Sequence, residues 1–124
     1  NLDSQITFLG WKDDVHAAIL ESDLFVQSSR DEAFGLSILE AGVLGIPIAC
    51  TTPGGVIEVL SPHQRFIAPG DAESLAELII SQLNMSNESL QFVSDELKAR
   101  FTISRMSRQY NNLYRFLQSD LSEQ

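Results

Sequence analysis

Apolar residues recur along this chain in two rhythms, short unbroken runs and stripes at helical spacing, and the two alternate. "ITFLG" (6–10) reads as a short buried strand stopped by Gly10. "DDVHAAILES" (13–22) reads as a helix with an acidic start, carrying Val15, Ala17, Ala18 and Ile19. A second strand is expected over "DLFVQ" (23–27), a polar loop over 28–34, and a helix over "GLSILEAGVLG" (35–45) that ends at Gly45. Pro47 then opens a third strand, "IPIACT" (46–51), followed by a turn at "TPGG" (52–55) and a short helix at "VIEVL" (56–60). "RFIA" (65–68) predicts a fourth strand, closed by Pro69-Gly70. Asp71 caps the next helix, whose Leu75, Leu78, Ile79 and Leu83 share one face. Helices at about 88–100 and 103–118 finish the chain, packed outside the sheet or against a neighbouring domain.

Short apolar strands alternating with helices predict an α/β fold, a Rossmann-like parallel sheet with helices on both faces. Ligands in such sheets bind at the carboxyl ends of strands. The 28–34 and 52–55 loops both follow strands, so both belong on that edge.

Composition narrows the partners. With 124 residues the chain makes one domain with a real core. Its net charge of -9 argues against nucleic acid or an anionic membrane, because no basic patch is present to neutralise phosphates. No stretch is apolar for long enough to cross a bilayer. The single cysteine, Cys50, excludes an internal disulfide and fits a reducing compartment such as the cytoplasm. Following an apolar run, it reads as a small core residue rather than a nucleophile. His16 and His63 have no clustered ligands, so no metal site is expected. A phosphoacceptor receiver domain is rejected, since "IPIACTT" ends without an Asp and no Lys closes a strand.

The chemistry concentrates in "DEAFGLSILEAGVLGIPIAC" (31–50), where Glu32 stands just before a helix and Glu40 one turn inside it. Acidic charge at a helix N-terminus is favourable in its own right by about 0.3–1 kcal/mol. The alternative is a ligand site. The first helical N–H groups, at Gly35, Leu36 and Ser37, lack intrahelical partners, and two carboxylates beside them suit a polyhydroxylated ligand. Spacing alone does not choose between the two.

The run 28–60 resembles the signature region of retaining glycosyltransferases of family 4, two-domain GT-B enzymes. The matching residues are Ser29, Glu32, Phe34-Gly35, Glu40-Ala41, Gly45-Ile46-Pro47, and Gly54-Gly55 with Glu58. The flanks "ITFLGWKDDVHAAILESDLFV" and "FIAPGDAESLAELI" are similar as well. The resemblance implies transfer of a sugar from a nucleotide-diphosphate-sugar donor substrate to a glycan or lipid-linked acceptor, with no cofactor. Glu32, as catalytic residue, and the Phe34, Gly35 and Leu36 amides would hold the donor sugar, and Glu40 the ribose. Gly10, Trp11 and Lys12 would border the base, although Trp11 also reads as a core cap and Lys12 as a surface charge. Gly54 and Gly55 would close on the sugar or diphosphate, or form only a turn. The whole enzyme would be cytoplasmic, peripheral at the inner face of a membrane. A non-catalytic module derived from the same fold is the alternative.

Three departures qualify the resemblance. Gln27 stands where Pro is common, and Gln64-Arg65 where a Gly precedes the last strand; neither is expected to touch the pocket. Residues 1–70 carry only Lys12, Arg30 and Arg65 as basic groups, whereas the family supplies an upstream Arg and Lys to the diphosphate. The chain therefore reads as part of a donor-binding domain without its acceptor domain, phosphate clamp and upstream strands. In the family's strand order, missing strands separate 6–10 from 23–27, so the isolated chain is expected to rearrange or self-associate.

Overall fold

The computed structural model describes residues 2–51, 54–60, 65 and 67–122, with side chains through Ser119. After a 3-10 turn at Asp3–Gln5, the elements are α1 (Val15–Leu20), β1 (Phe25–Gln27), α2 (Leu36–Val43) and β2 (Ile48–Cys50). They continue as α3 (Val56–Leu60), α4 (Ala72–Leu83), α5 (Asn87–Arg100) and α6 (Ile103–Ser122). β1 and β2 pair in parallel with Phe25 opposite Ile48 and Gln27 opposite Cys50. Beyond β2, Thr51 bridges to Ile67, also in parallel.

Strand alternation sorts the core onto two faces. Ile48 and Cys50 point into a cluster with Ile19, Ile38, Ala41, Val56, Val59, Leu60 and Leu97, drawn from α1, α2, α3 and α5. Ala49, between them, points the other way, to Ile67 and to Leu78 of α4. Helices thus cover both faces, as an α/β sheet requires.

The helix termini follow from local sequence. The Asp14 and Ser86 side chains accept from the Ala17 and Ser89 amides to start α1 and α5. Asp71 does the same for Ser74 at α4, and that backbone N–H holds its carboxyl below the usual carboxylate range. α2 ends in a Schellman turn, with Gly45 N–H on Gly42 O and Ile46 N–H on Ala41 O, which swings the chain into β2. α5 lies so close across α2 that a Cβ on Gly42 would collide with the Leu97 side chain. The Ser94 hydroxyl also donates to Val43 O at 2.7 Å, capping the end of α2.

Two expectations are corrected. Residues 6–10 form no strand: Ile6, Phe8 and Leu9 are exposed, Phe8 by 94%. A strand exists only by pairing its N–H and C=O groups, and among the described residues none pairs with this segment. The fourth strand reduces to the single bridge at Ile67, with Phe66 outside the described residues. Of the two terminal helices, α5 packs on α2, whereas the described side chains of α6 are all exposed. Burial pushes the Cys50 thiol up to about 11, consistent with a core residue.

Candidate active site

The polar cluster sits where β1 ends and α2 begins. Gly35 takes a left-handed φ of 86° as the cap residue, so α2 starts one residue later than its pattern suggests, at Leu36. This turn carries the chain back over the Glu32 side chain. Glu32 Oε1 accepts the Gly35 N–H at 3.2 Å, and Glu32 Oε2 accepts the Gln27 side-chain N–H at 2.8 Å. The Gln27 carbonyl in turn accepts the Ser37 hydroxyl at 3.0 Å. The carboxylate is therefore fixed between the last residue of β1 and the cap of α2, half-buried at the carboxyl end of the sheet.

A glycine pair backs the loop. Gly55 N–H donates to Glu32 O at 3.3 Å. A Cβ on Gly54 would run into the Glu32 carbonyl oxygen, and one on Gly55 into that of Ala33. Main chain thus lies directly on main chain, an approach only glycine permits. Thr51, buried at the end of β2, donates its hydroxyl to Ser29 O at 2.6 Å and ties down the start of the same loop.

The end of α5 braces the far side. Arg100 donates to Glu58 O at 2.5 Å and Val59 O at 3.4 Å, holding the carbonyls of α3, and it pairs with Glu96 at 3.2 Å. Phe101 meets Phe34 edge-on at 5.8 Å. Beside this brace lies a cavity of about 550 Å³ walled by Phe34, Leu39, Glu58, Arg100, Phe101 and the first turns of α6. Neither Glu32 nor Glu40 is among its walls.

The other expected residues are distributed as follows. Glu40, part-exposed on α2, faces α1, with Oε1 3.8 Å from His16 Nε2. Leu36 is exposed at the helix mouth. The Gly35 amide donates to Glu32, and the Phe34 ring meets Phe101. Gly10, Trp11 and Lys12 lie in the exposed segment before α1. Trp11 is 91% exposed and donates to Asp13 at 3.2 Å, so it caps no core. His63 lies outside the described residues, as do Thr52 and Pro53. Gln27, expected to stand clear of the site, touches it directly. The signal that marks it is polarity: a long amide closing an apolar strand run at the sheet edge where ligands bind.

The sequence profile of the family described as glycosyl transferases group 1 matches residues 1–98. The chain belongs to this family. Among curated relatives, it is 28% identical over 123 residues to N-acetyl-alpha-D-glucosaminyl L-malate synthase of Bacillus anthracis, covering 92% of this chain and 31% of that protein. It is 30% identical to 2-deoxystreptamine N-acetyl-D-glucosaminyltransferase of Niallia circulans, with the same coverage of 92% and 31%. The O-antigen biosynthesis glycosyltransferase WclY of Escherichia coli is 27% identical, with 91% of this chain and 32% of that protein aligned. The chain spans about a third of the length of these relatives. Among the described residues, no helix is long and apolar enough to cross a membrane.

Proposed function

We propose that this chain is part of the donor-binding domain of a retaining glycosyltransferase that uses a nucleotide-diphosphate sugar. The observation that carries the reading is the Glu32 carboxylate, held at the mouth of α2 by Gln27 and Gly35 and backed by the Gly54-Gly55 loop. Two bonds leave lone pairs on both carboxylate oxygens for sugar hydroxyls. A fixed negative charge there also stabilises positive charge developing on the sugar ring, which raises rate more than ground-state affinity. In the reaction, the bond from the anomeric carbon to the diphosphate oxygen breaks, its electron pair leaving on the diphosphate. An acceptor hydroxyl oxygen then bonds to the anomeric carbon on the same face of the ring, and its proton goes to the departing diphosphate.

Glu40 holds the ribose in this reading, with His16 as its neighbour. The acceptor, a glycan or lipid-linked sugar, binds a further domain of the whole protein, which works in the cytoplasm at the inner face of a membrane. Self-association of the isolated chain is supported by exposed Ile6, Phe8, Leu9 and Trp11.

The test is the complete enzyme with each glutamate changed in turn. Glu40→Gln is expected to weaken binding of nucleotide diphosphate alone by roughly 1–3 kcal/mol in calorimetry, the cost of a lost charged hydrogen bond. Glu32→Gln is expected to leave that affinity nearly unchanged and to lower turnover. Equal loss of nucleotide affinity in both variants refutes the assignment.

A further inference from the structure

We infer that Gln27 is a positioning residue for Glu32, its side-chain amide setting which carboxylate lone pairs face the donor. The inference rests on the role proposed above for Glu32. Gln27 closes β1 and is half-buried, with both ends of its amide engaged. Its N–H donates to Glu32 Oε2 at 2.8 Å, and its carbonyl accepts the Ser37 hydroxyl at 3.0 Å.

The chemistry of the partners assigns the amide orientation. A carboxylate only accepts, so the NH₂ end must face Glu32, and the carbonyl end then meets the hydroxyl hydrogen of Ser37. Glu32 is thereby held from two sides, by strand through Gln27 and by helix through the Gly35 N–H at 3.2 Å. One such bond leaves the carboxylate free to turn about its last torsion, a soft two-fold rotation; two bonds to separate elements stop it. Each oxygen spends one lone pair on this frame and keeps one for a ligand, an arrangement that matches two adjacent hydroxyls of a single sugar.

Ser37 sets the amide in turn. Standing in the first turn of α2, it links the helix to the end of the strand, so three hydrogen bonds and the backbone from Gly35 to Ser37 close a ring through strand, amide, carboxylate and helix cap. Within that ring Gln27 touches no reacting atom; it acts through Glu32.

The experiment uses the complete enzyme with Gln27→Leu, Gln27→Glu, Glu32→Gln and the double variant Gln27→Leu/Glu32→Gln. Gln27→Glu keeps the shape and the acceptor for Ser37 but replaces the donor to Glu32, and it stands in should Gln27→Leu fail to fold. Either Gln27 variant is expected to lower kcat on the order of 100-fold, the scale of a misplaced reacting group, with donor KM and nucleotide diphosphate affinity within about twofold. The double variant is expected to be no slower than Glu32→Gln alone, because a positioning residue has nothing left to position. A wild-type kcat in both Gln27 variants, a loss confined to KM, or losses that multiply in the double variant overturns the inference while the reading of Glu32 stands. Turnover unchanged in Glu32→Gln overturns that reading and the inference with it.

Discussion

Gly55 has no side chain, and the candidate site depends on that. A Cβ there would meet the Ala33 carbonyl oxygen and the Phe34 Cα, main-chain atoms that cannot rotate away. Gly55→Ala is expected to cost about 1–3 kcal/mol, as overpacking does, measured by denaturant unfolding, and to push the Glu32 loop outward so that kcat falls. Cys50 gives a second test at this scale. Its thiol is shielded within the core and pushed by burial from 9.0 to about 11. The folded chain is therefore expected to resist iodoacetamide at pH 8 and to react only when denaturant is added. The unfolded thiol loses its proton first as pH rises, so the contribution to stability is intact below pH 9.0 and is lost on the way to about 11. Individual residues were unevenly legible in the sequence. Glu32 and the glycine pair stand out through the family resemblance rather than through spacing, and Cys50 through its apolar run. Gln27, Ser37 and Thr51 carry at most a polarity signal, because their roles come from side-chain hydrogen bonds among strand ends, loop and helix start, which no periodicity records.

The elements themselves were easier to read. Helical stripes, acidic or hydroxyl caps and the Gly45-Ile46-Pro47 break mark local conditions that a segment satisfies within itself, and α1, α2, α4 and α5 lie within a few residues of their patterns. Residues 6–10 show the limit. Their apolar run is a statement about burial, and burial needs a partner that this segment does not meet. The end of α5 also holds α3 through a side chain. Arg100→Met keeps the stem but removes the bonds to Glu58 O and Val59 O, and is expected to destabilise the chain by about 1–3 kcal/mol in denaturant unfolding. Glu58→Gln, a surface change, is expected to fall within roughly 0.5 kcal/mol of the parent.

At the scale of the molecule, the described residues form a small parallel sheet with helices on both faces, a polar cluster at the open carboxyl edge of its strands and a long helix, α6, whose apolar stripe is uncovered. Ile103, Met106, Tyr110, Leu113, Tyr114 and Leu117 follow helical spacing and all face solvent. Transfer reactions need reactants aligned and water excluded, and an open edge does neither. The 124-residue chain is therefore expected to transfer no sugar from any of a panel of labelled sugar nucleotides, and to sediment as more than a monomer at micromolar concentration. Detectable transfer, or a strict monomer, counts against these expectations. The α5 brace carries one more consequence. Arg100 grips α3 by its carbonyl oxygens, and the glycine pair meets the Glu32 loop main chain to main chain. Glu58 can then be replaced without disturbing that grip, so the wall of the neighbouring cavity is open to redesign toward a different ligand. The frame around Glu32 has no such latitude, since it needs glycine at 54 and 55 and the Gln27 amide, so variation is cheap at the wall and costly at the carboxylate.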